Sequence, residues 1–295
     1  MFEDTLTRFT DEVSFDEQMK FHTAFGVGGK AKYFCQVKSL YTLNALITDA
    51  KRYKVPYKVI GNGTNVLVSD KGFDGLIITT KRFKDVFLKV DEVKAMAGAN
   101  VNDLLRFCVS HRLSGLEPLA GIPASLGGAV VMNAGAFGHN ISDYVTTVET
   151  VDQGKIKKYY KHDCKFGYRK SRFYGKKETV TSVSFKFNHG ERELIEASIR
   201  SFLEMRKKTQ PTGKTCGSVF RNPKGIFAGK LIEDANLKGS SVGGAFVSEK
   251  HANFIVNEKN ATATDVYKLI KLIKDTVREK YGILLKEEVE YIGEF

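Results

Sequence analysis

The segment LAGIPASLGGAVVMNAGAFG (119–138) constrains the fold of this chain more than any other part of the sequence. It carries five of the chain's 27 glycines, and small apolar residues stand between most of them. Glycine allows close approach of the backbone to a neighbouring group and leaves its N–H groups accessible. The pattern therefore indicates either main chain lying against a large flat ligand or a helix packed tightly on a strand.

A second glycine loop, GNGTN (61–65), stands between two strand-like runs. Its glycines permit positive backbone angles, and its polar side chains add hydrogen-bond donors, which suits a phosphate group. It is not a Rossmann fingerprint, because Val66 occupies the place of the third glycine and no helix follows. GVGGK (26–30) likewise lacks the spacing of a P-loop. Each loop alone is explained more simply as a turn, but GNGTN and 119–138 together favour a bound dinucleotide.

Hydrophobic spacing predicts helices and strands in irregular alternation. The helices are expected at 39–54 after a Ser39 cap, at 101–112 after Asn100, at 191–208, and at 264–281 before a Gly282 C-cap. In the third helix, Leu194, Ile195, Ile199, Phe202 and Leu203 form one apolar stripe. Strands are expected at 57–60, 66–69, 76–79, 86–90, 93–97, 145–151, 179–187 and 283–293. The class is α+β, with a domain border near 190.

Composition limits the function classes. With 295 residues the chain is long enough for about two domains, and no apolar run reaches the roughly 18 residues of a membrane span. Acids near the N-terminus stand where a signal peptide has cations, so we expect a cytoplasmic protein without a membrane partner. The net charge of +12 favours anionic ligands, but Lys and Arg are scattered rather than clustered, which disfavours nucleic acid. The four cysteines show neither zinc spacing nor a disulfide framework, so no metal is expected.

Eight stretches resemble the bacterial UDP-N-acetylenolpyruvoylglucosamine reductases of peptidoglycan synthesis, in that family's order. They are HTAFGVGGKA (22–31), IGNGTNVLVSD (60–70), AGIPASLGGAVVMNAGAFG (120–138), GYRKSRF (167–173), CGSVFRNP (216–223), AGKLIEDANLKG (228–239), VSEKHANFIVN (247–257) and LKEEVEYIG (285–293). The resemblance implies non-covalent FAD in a two-lobed domain of the vanillyl-alcohol-oxidase (PCMH) type. It also implies NADPH as reductant and an enolpyruvyl ether of UDP-N-acetylglucosamine as substrate.

The same resemblance suggests how the chain divides. We expect FAD-binding lobes at 1–80 and 81–190 and a smaller α+β substrate-binding domain at 191–288, with the strand 289–295 returning to the first lobe. GYRKSRF leads directly into the strand at 179–187, so the chain is similar to the short form of the family, which lacks a tyrosine-bearing loop. We expect a monomer whose partners are small molecules.

The resemblance implies three catalytic residues. Arg169 and Glu288 would polarise the substrate carboxylate, and Ser218 would deliver a proton. A guanidinium can bind a carboxylate in bidentate fashion, a buried glutamate can carry a proton, and serine can protonate only a strong base such as a carbanion. From the residues alone, Arg169 could equally belong to a solvated basic run, and Glu288 to an exposed strand edge.

Further residues are assigned to the two ligands. Cofactor contacts are expected from Gly61, Asn62, Gly63, Thr64, Asn65, Gly121, Ile122, Pro123, Gly127, Gly128, Asn133 and Gly135. Substrate contacts are expected from Tyr168, Arg206 and Asn222. His251 and Asn253 fit either a ligand contact or a structural role. Cys216 lacks a histidine nearby in sequence and is not expected to act as a nucleophile. Glu290 stands where relatives often have arginine.

Two other functions remain open at this point. An FAD oxidase of the same superfamily would react quickly with oxygen after reduction. A nucleotide- or nucleic-acid-binding protein would be colourless and would bind oligonucleotides with a steep salt dependence.

Overall fold

The computed structural model describes residues 1–152, 154–176 and 178–295. Its α-helices are α1 (Phe2–Leu6), α2 (Leu40–Arg52), α3 (Val101–Ser110), α4 (Leu126–Met132), α5 (Arg192–Thr209), α6 (Ala228–Asp234) and α7 (Ala263–Tyr281). Its strands are β1 (Val13–Gln18), β2 (Lys30–Gln36), β3 (Tyr57–Ile60), β4 (Val66–Val68), β5 (Phe73–Thr79), β6 (Val86–Lys89), β7 (Glu92–Met96), β8 (Leu113–Ser114), β9 (Gly135–Ala136), β10 (His139–Asn140), β11 (Val145–Asp152), β12 (Lys155–Tyr160), β13 (Thr179–Phe185), β14 (Asn188–His189), β15 (Ser241–Val242), β16 (Ala245–Val247), β17 (Ile255–Asn257) and β18 (Glu290–Ile292).

Capping groups set the ends of three predicted helices. The Ser39 hydroxyl accepts a backbone hydrogen bond at the start of α2, and Asn100 forms a capping box at the start of α3. The Thr262 hydroxyl does the same for α7, which ends at Gly282 in the left-handed conformation with φ +68°. Such caps satisfy N–H groups that have no partner inside the helix. The helices predicted at 39–54, 101–112 and 264–281 are confirmed, with ends shifted by one or two residues.

A five-stranded antiparallel sheet has the order β12-β11-β13-β7-β6. Helices α3 and α4 contribute Leu104 and Val130 to the core cluster that also contains Val183 and Phe185 of β13. Burying each such side chain contributes about 1.5–3 kcal/mol. This core supports both ends of the glycine-rich segment.

A four-stranded sheet has the order β1-β2-β5-β3, with β3 and β5 parallel. Helix α2 buries Leu43, Leu46 and Ile47 in a cluster with Leu76 and Ile78 of β5. Strands β15, β16 and β17 form a separate antiparallel sheet, and β18 pairs in parallel with β4. The mixture of parallel, antiparallel and helical layers confirms the predicted α+β class.

The apolar stripe predicted for the helix at 191–208 is mostly not buried. The helix forms as α5, but Ile195 is its only buried residue. Leu194 and Leu203 are 65% and 42% exposed. Phe202 instead meets Phe137 with ring centroids 5.3 Å apart. Periodicity predicted the helix correctly but its packing wrongly. An apolar stripe indicates that a helix has an apolar side, and it does not indicate whether that side is buried.

The strand predicted at 283–293 is also shorter than expected. Only Glu290–Ile292 forms a strand. Before it, residues 286–288 run antiparallel to residues 219–221 and form one β-bridge, between Phe220 and Glu287. The buried side chains of Leu285 and Val289 explain the strand-like pattern of this segment.

No helix among the described residues combines the length and apolarity that crossing a bilayer requires.

The chain divides into two compact units, each assembled from several segments. Unit 1 comprises 1–15, 33–62 and 75–205, and unit 2 comprises 16–32, 63–74 and 206–295. The core of unit 2 is a single cluster in which Leu269, Ile270 and Ile273 of α7 pack with residues such as Val219 and Val247.

Candidate active site

In unit 1, the start of the GNGTN loop lies against the glycine-rich segment 119–138. The Asn62 side-chain amide donates a hydrogen bond to the Pro123 carbonyl, 2.9 Å, and another to the Asn100 side chain. A Cβ on Gly61 would lie 1.8 Å from the Ser125 hydroxyl. Ser125 in turn caps α4. The fold therefore brings residues 61–62 and 123–125 to one place, as the combined glycine patterns suggested.

Packing within the protein explains several of these glycines. A Cβ on Gly127 would lie 2.9 Å from the Ala97 Cβ, and one on Gly135 would lie 2.4 Å from the Asn140 side chain. Gly121 has φ +79°, and its N–H donates to the Asn102 side chain, 3.0 Å. Tight packing was one of the two interpretations of 119–138, and at Gly127 and Gly135 the protein's own atoms require it.

The remaining cofactor candidates of unit 1 lie on the same helix and loop. The Gly128 N–H donates to the Ser125 hydroxyl at 3.4 Å, and Ile122 packs against the core of the five-stranded sheet. Asn133 ends α4 in the left-handed conformation and is 3% exposed. Its amide donates to the Gly167 carbonyl, 2.9 Å. Asn133 therefore bonds to backbone inside unit 1, a role that its motif did not indicate.

Arg169 lies in a tight turn of unit 1. Gly167 and Lys170 exchange two backbone hydrogen bonds of 2.9 and 3.1 Å, which places Tyr168 and Arg169 at the turn's centre. Arg169 has φ +50°. Its Nη2 donates to the Gly135 carbonyl, 3.0 Å, and its guanidinium carbon lies 5.2 Å from the centroid of the Tyr168 ring. Tyr168 is 53% exposed, so both side chains stand near the surface of this unit.

In unit 2, the second half of the GNGTN loop supports Glu288. The Asn65 amide donates to the Glu288 carbonyl, 2.9 Å, and the Glu290 N–H donates to the Asn65 carbonyl, 3.0 Å. A Cβ on Gly63 would lie 1.9 Å from the His22 carbonyl, so packing requires a glycine immediately before Thr64. Asn65 thus holds the backbone of a predicted catalytic residue, which the sequence did not reveal.

Ser218 and Glu288 lie on paired segments of unit 2. The Glu288 N–H donates to the carbonyl of Val219, the residue after Ser218, at 2.7 Å. The other side of the Ser218 segment is held by Asn253, which is 4% exposed. The Asn253 side chain donates to the Phe220 carbonyl, 2.8 Å, and accepts from the Phe220 N–H, 2.9 Å. Asn253 is therefore a structural residue for the Ser218 segment.

Cys216, two residues before Ser218, is a poor nucleophile. Burial raises the pKa of its thiol, and Glu288 raises it further whenever its carboxyl group is ionised. A thiol that stays protonated does not attack carbon. This agrees with the interpretation drawn from the sequence.

A pocket of about 270 Å³ lies in unit 2. It is lined by Ser218, Asn222, Phe227, Gly229, Lys230, Glu233, Lys238, Lys250, His251, Ala252 and Asn253. Lysines outnumber acids in this lining, which favours an anionic ligand. Two of them already pair with acids, Lys230 with Asp234 and Lys238 with Glu233. Asn222 accepts a hydrogen bond from the Ala228 N–H, 3.0 Å, through its side-chain oxygen. The pocket therefore joins Ser218, a predicted proton donor, to Asn222, a predicted substrate contact.

The predicted site residues are shared between the units. Arg169 and Tyr168 belong to unit 1, whereas Ser218, Asn222 and Glu288 belong to unit 2. Arg206 begins the last segment of unit 2 and donates to the Gln210 side chain, 2.8 Å. Burial lowers the pKa of Arg206, so this arginine is less solvated than its position near a helix end suggests.

Comparison with known proteins relates these sites to a family. The model of the FAD binding domain matches residues 31–158. The model of the C-terminal domain of UDP-N-acetylenolpyruvoylglucosamine reductase matches residues 209–292. The first match contains the loops at 61–65 and 119–138, and the second contains Ser218, the pocket and Glu288.

Relatives and solved structures agree with both matches. The chain is 40% identical to a UDP-N-acetylenolpyruvoylglucosamine reductase of Caldanaerobacter subterraneus over 95% of this chain and 93% of the relative. It is 41% identical to that of Caldicellulosiruptor saccharolyticus over 100% and 96%. The crystal structure of the enzyme from Thermus caldophilus matches with a TM-score of 0.82 at 35% identity, covering 96% of this chain and 98% of that one.

The fold of the flavin-binding part is shared more widely. Phl p 4, a grass pollen allergen with glucose dehydrogenase activity, matches with a TM-score of 0.51 at 13% identity, covering 65% of this chain and 45% of the allergen. With the FAD-binding match, this confirms the predicted two-lobed flavin-binding fold. The loops lie in the part of the chain that the FAD binding domain matches, and both donors of the Asn62 amide hold them together, through Asn100 and Pro123. The chain belongs to the UDP-N-acetylenolpyruvoylglucosamine reductases, a family of FAD-binding oxidoreductases.

Proposed function

We propose that this protein uses NADPH to reduce the enolpyruvyl ether of UDP-N-acetylglucosamine to UDP-N-acetylmuramate in peptidoglycan precursor synthesis. The observation that carries the proposal is the placement of Ser218. It lies on a segment paired with that of Glu288 and lines a lysine-bearing pocket together with Asn222. A proton donor, a carboxyl group and a site for an anionic ligand thus occur in one unit.

The reaction needs two kinds of stabilisation from the protein. Hydride addition to the terminal carbon of the enolpyruvyl group leaves negative charge on the adjacent carbon, which the neighbouring carboxylate spreads as an enolate. When bound, FAD would supply the redox chemistry, taking hydride from NADPH and giving it to the terminal carbon of the enolpyruvyl group. Cationic and hydrogen-bonding groups fixed at the position of the developing charge lower the barrier most effectively.

Arg169 and Glu288 fit the stabilisation of that enolate. The guanidinium of Arg169 keeps its charge at any physiological pH and matches a carboxylate in geometry. Glu288 is partly buried, and a glutamate that retains a proton can donate a hydrogen bond to an enolate oxygen. The backbone of Glu288 is fixed from two sides, by Val219 and by Asn65. A fixed backbone limits the positions that the Glu288 carboxyl group can reach, so less freedom is lost when substrate binds.

Ser218 would complete the reaction by giving its hydroxyl proton to the carbanion. The segment from Ser218 to Phe220 is anchored by Asn253 on one side and by the Glu288 segment on the other. Gly217, with φ +85°, lets the chain bend immediately before Ser218. This support would restrict the position of the hydroxyl, which proton transfer to carbon requires.

The nucleotide part of the substrate would bind in unit 2. Lys230, Lys238 and Lys250 line the pocket and suit the two phosphates of a UDP-sugar. We assign Asn222, Arg206 and Tyr168 to polar contacts with the substrate. FAD would be held by residues 61–65, Gly121, Ile122, Pro123, Gly127, Gly128 and Gly135.

The substitution Ser218→Ala tests the proton-donor assignment. We expect flavin reduction by NADPH to proceed within about twofold of the wild-type rate, because no proton from Ser218 enters that step. Reoxidation by the enolpyruvyl substrate should slow by at least about 100-fold. Stopped-flow absorbance measures the two half-reactions separately. Ser241→Ala, an exposed serine of β15 in the same unit, is the matched control and should change neither.

Normal reoxidation of reduced Ser218→Ala by the enolpyruvyl substrate would remove Ser218 from the mechanism. An oxidase of the same fold would instead be indicated if reduced wild-type protein reacted faster with oxygen than with the enolpyruvyl sugar. The first measurement uses the reduced variant and the second the reduced wild type, so the two outcomes are distinguished directly.

A further inference from the structure

The chain around Arg169 is anchored at three alternating residues: Val131 in the last turn of α4, Asn133 just after it and Gly135 in β9. The Ser171 hydroxyl donates to the Val131 carbonyl, 2.7 Å, and the Arg169 guanidinium donates to the Gly135 carbonyl, 3.0 Å. Between them, the Asn133 amide donates to the Gly167 carbonyl, 2.9 Å. All of these residues belong to unit 1. The segment 131–135 thus fixes both the turn and the side chain of Arg169.

The turn needs such support because its central residue is unfavourable. Arg169 is the third residue of the turn from Gly167 to Lys170 and has φ +50°. Glycine and asparagine are favoured at a turn position with positive φ, whereas a long side chain is disfavoured there. Strained backbone of this kind persists when surrounding contacts determine it, and it is enriched at functional sites.

Asn133 acts on the carbonyl group that closes this turn. The Gly167 carbonyl accepts the N–H of Lys170 at 3.1 Å and the amide of Asn133 at 2.9 Å. Asn133 is itself fixed, because it is 3% exposed and its side-chain oxygen accepts the Ser142 N–H at 3.3 Å. Its own φ of +46° is one that asparagine tolerates better than most residues.

We infer that Asn133 is a positioning residue that holds the turn at 167–170 in the conformation from which Arg169 reaches the substrate carboxylate. The inference rests on the role proposed above for Arg169. It differs from a direct cofactor contact, because the Asn133 side chain bonds to the backbone of residues 142 and 167. Its effect on the reaction should therefore pass through Arg169 alone.

A double-mutant cycle tests this dependence. Asn133→Gly keeps a residue that accepts positive φ and removes both side-chain bonds, and Asn133→Asp keeps the size and the acceptor but removes the amide donor. We expect each variant to slow reoxidation by the enolpyruvyl substrate by about 10–100-fold, as misplacement by about 1 Å does. In an Arg169→Ala background, the same substitutions should cause no further loss.

Other readouts separate positioning from cofactor binding and from general destabilisation. FAD content and flavin reduction by NADPH should stay near the wild-type values in both Asn133 variants. Asn236→Gly is the matched control, because Asn236 also has a positive φ of +59° just after a helix, α6 in unit 2. That control should leave both half-reactions and the melting temperature unchanged.

Three outcomes would overturn the inference. Loss of FAD from Asn133→Asp would indicate a cofactor contact, full activity would show that the anchor is dispensable, and additive losses in the Arg169→Ala background would show an effect independent of Arg169. If Arg169→Ala alone left reoxidation normal, the role proposed for Arg169 would fail instead. The cycle thus distinguishes failure of the inference from failure of the proposed function.

Discussion

His251 shows how one half-buried residue makes the stability of the protein depend on pH. It lines the unit 2 pocket, its Nδ1 accepts the Asn253 N–H at 3.2 Å, and its ring lies 4.7 Å from that of Phe254. Burial lowers its pKa below the usual 6.5; the nearby Lys238 also lowers it and Glu233 opposes the shift. The folded protein therefore holds a neutral imidazole at neutral pH.

The sign of the pH dependence follows from this shift. As the pH falls below 6.5, the unfolded chain takes up the proton before the folded protein does, so stability decreases until the lower folded pKa is reached. We expect the melting temperature of wild type to decrease more steeply between about pH 7 and pH 5 than that of His251→Gln. Calorimetry over this range measures the slopes. Equal slopes would contradict a histidine with a lowered pKa at this position.

At the residue scale, motifs indicated candidate functional residues but not the residues whose side chains hold the backbone around them. Ser218 and Glu288 stand in motifs of the family, and the structure places them on paired segments. The supporting roles of Asn65 and Asn133 were missed, and that of Asn253 stayed one of two interpretations, because each side chain bonds to backbone far away in sequence. A backbone carbonyl has no sequence signature. Such support becomes visible only when the fold is known.

Helix α7 shows how an element can depend on a residue distant in sequence. The Asp70 carboxylate accepts the N–H groups of Ala263 and Thr264, each at 2.8 Å, and the Thr264 hydroxyl at 2.7 Å. It adds to the Thr262 cap and places negative charge at the positive end of the helix dipole. Three bonds from one carboxylate thus fix the start of the longest helix among the described residues.

Removing this carboxylate should destabilise the protein measurably. We expect Asp70→Ala to lower the free energy of unfolding by about 1–2 kcal/mol, the usual size of a lost helix cap. Urea denaturation provides the measurement. Asp74→Ala is a suitable control, because the Asp74 side chain is 87% exposed and pairs only with an exposed lysine, so its loss should cost under about 0.5 kcal/mol. Equal effects of the two substitutions would argue against the cap.

Elements were predictable where their causes are local. The ends of α2, α3 and α7 follow from caps within a few residues of the helix, and these predictions are confirmed. The exposure of α5 and the short strand β18 depend on which neighbours the rest of the chain supplies. Hydrophobic periodicity does not contain that information, since it describes one element at a time.

At the scale of the whole molecule, the residues with proposed roles are distributed over two units. Unit 1 holds Arg169 and the meeting point of the two glycine loops, and unit 2 holds Ser218, Glu288 and the lysine-lined pocket. Each unit contains segments from distant parts of the chain, so chain order alone could not predict this division. The domain limits expected near 80 and 190 stay predictions. The net charge of +12 suits a protein whose proposed ligands all carry phosphate.

The central claim is that this protein passes hydride from NADPH to an enolpyruvyl sugar nucleotide. The most direct measurement reduces the purified protein with NADPH under anaerobic conditions and then adds the enolpyruvyl ether of UDP-N-acetylglucosamine. Our account predicts that the yellow colour of oxidised flavin returns without oxygen, and that mass spectrometry finds the sugar nucleotide carrying two additional hydrogen atoms. Flavin that stays reduced until air is admitted, with the sugar nucleotide recovered unchanged, would contradict it.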